Sequence, residues 1–259
     1  MKLRDYHRFT KELSQNLKSE ADVIGLLALG SMAEKDHDPD LWSDHDFSII
    51  VKAGNQDKYI DKLFWLPEEY EAVFTYKEAA NSRKIILKNM HLIEYAVFTL
   101  EDLKKLKINS YRLLIDKNGI SDYIEEIKNE TSRTSKLLTE NKVLLGNLLT
   151  DLFIGIGRYK RGEKISAHYF IKEKGLKQLL LLIEKNIDNN EIDNLDNLDP
   201  FRRFEYNYPD LALMINQIID AEIISAAENI LEFLQAQLRE VLDLSEQKTI
   251  KILNNYIKK

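Results

Sequence analysis

The spacing of apolar positions divides the chain into two differently patterned halves. Leu3, Tyr6, Phe9, Leu13 and Leu17 recur close to the helical period and predict a first helix over residues 3–17. Residues 23–29 (VIGLLAL) are almost unbroken apolar, the pattern of a strand covered on both faces. A second strand is predicted over 44–51, then a helix over 56–65 that Pro67 helps to end. Residues 71–76, 84–87 and 91–98 are rich enough in β-branched, aromatic and aliphatic side chains for three more strands. A short helix over 101–106 and a strand over 111–115, near Asn118-Gly119, close this half.

After Asp122 the pattern changes. The polar stretch 129–136 (NETSRTSK) marks a domain boundary, giving domains 1–130 and 131–259. Beyond it β patterning all but disappears. Leu137, Leu138, Val143, Leu144, Leu145, Leu148, Leu149, Leu152, Phe153 and Ile156 make a broad apolar helical face. A second helix is predicted over 166–186; its uncharged run, Leu179 to Ile183, is far too short for a membrane. Residues 188–199 are Asn/Asp-rich and predict a surface loop. Asp199-Pro200 and Tyr208-Pro209 resemble helix starts with proline at the first position. A long amphipathic helix over 223–242 and a last one over 248–257 complete an α+β chain, strands first and a helical bundle after.

Composition narrows the chemistry. The chain has 259 residues, enough for one large or two modest domains, and no cysteine, so disulfides, thiolate metal sites and thiol nucleophiles are excluded. His7, His37, His91 and His168 show no shared ligand spacing, which argues against zinc, and no Walker-type glycine loop exists. The opening Met1-Lys2-Leu3-Arg4 resembles no signal peptide and no membrane span follows, so the cytoplasm is the default expectation. Net charge is −6, and between Glu34 and Asp46 stand Glu34, Asp36, Asp38, Asp40, Asp44 and Asp46 against Lys35 alone. That field favours a small cationic ligand, and with no basic stripe it disfavours nucleic acid. A solvated loop with no selective role accounts for the charge equally well.

The most informative stretch is Ile24 to Val51, IGLLALGSMAEKDHDPDLWSDHDFSIIV. Strand alternation points Asp44 and Asp46 one way and His45 the other. Two carboxylates at a strand mouth repel unless a cation lies between them, and hard oxygen ligands of this kind suit Mg²⁺ with nucleotide phosphate. Gly30 permits close backbone approach to a ligand, and Ser31 has the chemistry to cap a helix whose N–H groups face phosphate.

An apolar strand, Gly-Ser, a gap of the length of 32–43 and Asp-x-Asp on the next strand resemble the nucleotidyltransferase superfamily (DNA polymerase β-like). The basic residue often found after Gly-Ser is at best Lys35 here. GIGRYKRGEKISAHYFIKEKGL and LDPFRRFEYNYPDL resemble the helical domain of its antibiotic-modifying branch, lincosamide nucleotidyltransferases and, more distantly, aminoglycoside adenylyltransferases. The resemblance implies a small mixed sheet flanked by helices, Mg²⁺ as cofactor, and an NTP, ATP by expectation, as co-substrate. Transfer would go to a hydroxyl of a small molecule meeting the nucleotide between the two domains, and a homodimer is the expected assembly.

It also implies a third carboxylate. Glu94 is the choice, a charge inside an otherwise apolar strand, with Glu71 and Glu101 as rivals nearer element ends; it would ligate metal or take the acceptor's proton. Arg158, Lys160 and Arg161 would neutralise polyphosphate, or simply answer the dipole at a helix C-terminus. Glu163 and Arg202 would face the acceptor, or be solvated and paired with Asp199 or Glu205, with Phe201 and Phe204 packing the bundle. Two alternatives remain open: a regulatory enzyme nucleotidylating a protein partner, and an inactive nucleotide-binding relative.

Overall fold

Tyr6, Phe9, Leu13 and Leu17 form one stripe of helix α1 (Leu3–Ser19), and all four are buried, as their spacing requires. This computed structural model describes residues 1–35, 38–136, 140–188 and 199–258, with backbone alone for 132–136. Asp36 and His37 of the acidic crossover, Leu137 and Leu138 of the apolar face, and 189–198 of the Asn/Asp-rich loop lie outside the described residues. The chain divides into two units, Met1–Lys136 and Leu137–Lys259.

The first unit has strands β1 (Val23–Leu29), β2 (His45–Val51), β3 (Ala72–Ala79), β4 (Ser82–Leu87), β5 (Leu92–Phe98) and β6 (Tyr111–Asp116), with helices α2 (Gln56–Asp61) and α3 (Ser121–Lys136). The sheet runs β3-β4-β5-β2-β1-β6 and is mixed: β2 and β5 are parallel, the other neighbours antiparallel. Alternation sends Phe47, Ile49, Ile93, Tyr95 and Val97 into the core beneath α1, where Trp65 and Tyr59 join them. On the other face Leu27, Ile50 and Phe98 pack with Ile120, Ile124 and Ile127. Alternation lets β1 feed both cores, Leu26 and Ala28 on one face and Leu27 on the other, and a register shift between Val23 and Gly25 interrupts its pairing with β2. A Cβ on Gly25 would stand 2.5 Å from Ile120 Cδ1, so the close seat of Ile120 depends on the missing side chain.

Several expected bounds shift, each for a local reason. The helix expected over 56–65 stops at Asp61, because Trp65 turns back into the core and its indole N–H donates to the Tyr59 carbonyl at 3.3 Å. The polar run 129–136 is helical, the end of α3, and the two units divide after it, at Lys136 instead of residue 130: the Thr131 hydroxyl donates to Ile127 O (2.9 Å) and accepts from Ile108 N–H (3.0 Å).

The second unit is helical: α4 (Asn141–Lys160), α5 (Lys164–His168), a π-helical turn Tyr169–Gly175, α6 (Leu176–Asn186), α7 (Phe204–Asn207), α8 (Pro209–Asp220), α9 (Ile223–Gln237) and α10 (Leu244–Lys258). Its core joins Leu148, Leu152, Leu179, Ile183, Ile230 and Leu234. Pro209 opens α8 as expected, but Asp199-Pro200 forms a turn, with Phe201 N–H on the Asp199 carboxylate at 3.1 Å. Phe204 is buried whereas Phe201 is not, so only one of the two packs the bundle. The helix expected over 223–242 ends at Gln237, and α10 starts already at Leu244, behind a reciprocal Asp243–Glu246 cap (2.7 and 2.9 Å). Among the described residues no helix is long and apolar enough to cross a membrane.

Candidate active site

The parallel pairing of β2 with β5 sets Asp46 directly opposite Glu94, and the antiparallel pairing of β5 with β4 sets Glu94 opposite Lys84. Tyr76 on β3 continues the row beyond Lys84. Asp46, Glu94 and Lys84 therefore share one sheet face at the N-terminal end of β2 and β5. A cleft of about 200 Å³ opens there, lined by Asp46, Ser48, Glu78, Ser82, Glu94 and Lys107. Asp44 immediately precedes the strand and is half-buried. Of the rivals, Glu71 pairs with Lys88 at 2.7 Å and Glu101 is exposed; neither lines the cleft.

Gly30 enters a short 3₁₀ turn (Gly30–Ala33) with φ +50°, a conformation that favours glycine, and a Cβ there would stand 3.9 Å from Asp46 Oδ2. Ser31, expected as a helix cap facing phosphate, is instead buried. Its hydroxyl lies 3.1 Å from Tyr6 Oη and 3.3 Å from the Asp44 carbonyl, which Tyr6 also bonds at 2.9 Å. The residues between turn and strand are thus tied to α1 from below.

His45 continues that underside. It is fully buried, stacked on Tyr6 with ring centroids 3.9 Å apart, and its Nδ1 lies 2.6 Å from Nε2 of His91. Thr10 Oγ1 donates to the Tyr6 carbonyl (3.1 Å) and so accepts from His45 Nε2–H (3.0 Å), which assigns the remaining bond as His91 Nε2–H to His45 Nδ1. Burial, then the neighbouring His91, keeps His45 well below the ordinary histidine range; burial lowers His91 to about 4. Both imidazoles are neutral at pH 7. The histidine spacing read from sequence missed this pair, because it left out His45 and the partner lies far along the chain.

The cleft side is charged. Lys84 Nζ lies 2.9 Å from Glu94 and 3.1 Å from Glu78, and these carboxylates, Glu94 first, raise its pKa. Glu34 is held by the Arg112 guanidinium (one bond 2.9 Å) and lies 3.4 Å from His7, and Asp40 accepts from Trp42 N–H and Ser43 Oγ, so part of the acidic crossover is neutralised or spent locally. Lys35 stacks over the Tyr111 ring at 4.7 Å.

Among the described residues no three histidine or carboxylate side chains gather as a metal shell would require, so the expected set Asp44, Asp46 and Glu94 is not assembled; Glu94 is drawn to Lys84. The oxygen donors of Asp44 and Asp46, beside a glycine that leaves room at Asp46, still fit Mg²⁺, which commonly takes one or two carboxylates and fills its other positions with water and phosphate.

In the second unit Arg158 and Arg161 both engage Glu163, at 2.6 and 3.2 Å, and Arg158 foremost holds that carboxyl below the usual range, which makes it a poor base. Lys160 donates to the Ile257 carbonyl at 3.1 Å. Arg202 is exposed, in the turn after Asp199. A larger groove of about 570 Å³ in the first unit is lined by Arg8 and Glu69, paired at 2.8 Å, and by Lys88 and Glu71. Its charges largely cancel in pairs.

No family model matches the chain, and no curated protein matches it in sequence. Among solved structures it is similar to an aminoglycoside 6-adenyltransferase from Bacillus subtilis, at 11% identity and a TM-score of 0.34, covering 95% of this chain and 96% of that one. A likeness so loose carries no argument about fold or activity, and the reading of the site rests on its own residues.

Proposed function

We propose that the chain transfers a nucleoside monophosphate from an NTP, ATP first among candidates, to a hydroxyl of a small cationic acceptor. The observation that carries this reading is the juxtaposition of Asp46 and Glu94 on adjacent parallel strands at an open cleft, with Asp44 two residues before Asp46 and Gly30 beside Asp46. Asp44 and Asp46 hold Mg²⁺, which when bound neutralises charge on the nucleotide phosphates. Gly30 admits the phosphates close to the backbone. Glu94 receives the proton of the acceptor hydroxyl as its oxygen forms a bond to the α-phosphorus and pyrophosphate leaves; a positioned base of this kind contributes about 10²- to 10⁴-fold. Around the cleft Asp46, Glu78 and Glu94 are matched by Lys84, Arg83 and Lys107, so the preference for a protonated amine on the acceptor rests on the acidic stretch Glu34–Asp46. The helical unit is assigned to the acceptor, with Glu163 and Arg202 as candidate contacts.

The test is incubation with Mg²⁺, each NTP in turn, and a panel of lincosamides, aminoglycosides and sugar alcohols, read by mass spectrometry. A panel member gains a nucleotidyl group, and Asp44→Asn and Asp46→Asn each abolish the gain with the fold intact. Wild-type turnover by either variant removes the site assignment. Labelling of a protein and of no small molecule puts the regulatory reading in its place.

A further inference from the structure

The residue that decides how the third carboxylate behaves stands on the neighbouring strand. Lys84 lies across from Glu94, which lies across from Asp46, so one ammonium and two carboxylates run in a line across the sheet. Like charges on directly opposed positions repel, and Asp46 and Glu94 are such a pair. Lys84 answers that repulsion from one side only. Its Nζ is 2.9 Å from Glu94 Oε1 and 3.1 Å from Glu78 Oε1, so its charge is anchored on the side of Glu94 away from Asp46. An ordinary surface pair swings freely in water; here the Lys84 side chain is only 25% exposed and Glu94 32%. Among the described residues Asp44, Asp46 and Glu94 do not gather as a metal shell, and Glu94 stands at Lys84 instead.

We infer that Lys84 is a positioning residue: it holds Glu94 away from the Asp44/Asp46 cation, reserving that carboxylate for the acceptor hydroxyl. The inference rests on the proposed metal reading of Asp44 and Asp46. It assigns Glu94 to proton transfer rather than to the metal, and it makes the Glu78–Lys84 pair part of the machinery. Without the Lys84 charge, Glu94 turns toward the cation that Asp46 holds and is lost to the acceptor.

The experiment is Mn²⁺ binding to the full chain without nucleotide, followed by water-proton relaxation, in wild type, Glu94→Gln, Lys84→Met, the double variant, Lys84→Arg and Asp46→Asn. Glu94→Gln alone leaves the Mn²⁺ dissociation constant within about twofold of wild type, whereas in the Lys84→Met background the same change weakens binding by about tenfold. Lys84→Arg keeps the tether and behaves as wild type. Tryptophan fluorescence shows each variant folded. Loss of binding in Asp46→Asn with an additive cycle, or a tenfold weakening by Glu94→Gln alone, overturns the inference and leaves the metal reading standing. Should Lys84→Met not fold, Lys84→Gln, which also removes the charge, takes its place in the same cycle with the same outcomes. Wild-type binding that ignores Asp46→Asn overturns both.

Discussion

The buried His45–His91 pair makes a quantitative prediction that needs no substrate. His91 is 3% exposed, and burial lowers its pKa from the ordinary 6.5 to about 4. The unfolded chain binds a proton at this residue near pH 6.5 and the folded chain does not until near pH 4. Acidification therefore favours unfolding across that window, and stability rises with pH within it. Integrating the difference for His91 alone gives a loss of about 2 kcal/mol by pH 5 and about 3 kcal/mol by pH 4. His45, also depressed, adds to the loss in the same direction. The hydrogen bonds agree in sign: a doubly protonated His45 has no bare Nδ1 with which to accept from His91.

The assay is urea unfolding at a series of pH values, followed by tryptophan fluorescence. Both tryptophans, Trp42 and Trp65, lie in the first unit, and Trp65 is the buried one, so the signal belongs to the core in question. His91→Gln removes the titration while its amide still donates to His45. The variant's stability should fall less steeply between about pH 6.5 and 4.5, by an amount approaching the His91 figure. Parallel curves for the two proteins would refute the reasoning, since carboxylates common to both would then carry all of the acid sensitivity.

Two further outcomes follow from packing. Ser31→Ala, losing a hydroxyl that faces Tyr6 and the Asp44 carbonyl, should destabilise the first unit by about 0.5–1.5 kcal/mol in the same melts, and should lower transfer less than Asp46→Asn does. In the second unit a Cβ on Gly155 would stand 2.5 Å from Ile171 Cγ1 and 3.2 Å from Phe170 Cβ. Overpacking of about 1–3 kcal/mol, offset by about 1 kcal/mol of helix propensity, predicts that Gly155→Ala lowers the far-UV circular dichroism transition.

The strands were the most legible part of this chain, because short, dense apolar runs leave little choice: β1 falls on the apolar run 23–29 and β6 on 111–116. Helix ends were less legible, since they depend on partners far away in sequence. The polar run 129–136 shows no helical face, and only the Thr131 bond to the Ile108 amide explains why α3 extends through it. The same limit applies at the site. Asp46 opposite Glu94 requires knowing that β2 and β5 are neighbours, which no local pattern reports. Lys84 was closer to reach: β4 and β5 form a hairpin across a short turn, and fixing that turn's length pairs Lys84 with Glu94.

What ties these observations together is the two-sidedness of β2. His45, Phe47, Ile49 and Val51 point under α1, and Asp46, Ser48 and Ile50 point to the other face. A slip of one residue would turn every side chain over, burying Asp46 against Tyr6 and Phe9 and leaving His45 in the cleft. Apolar patterning alone resists that slip weakly in the stretch FSII, where both faces carry apolar groups. The polar underside resists it strongly. Thr10 and His91 meet the two nitrogens of His45 only in the observed register, and Tyr6 and Ser31 reach the Asp44 carbonyl only there. An uncharged histidine suits this role, because it satisfies two buried polar partners without bringing a second charge beneath the carboxylates. On this argument the buried network on one face is the reason the acidic residues can be trusted to the other.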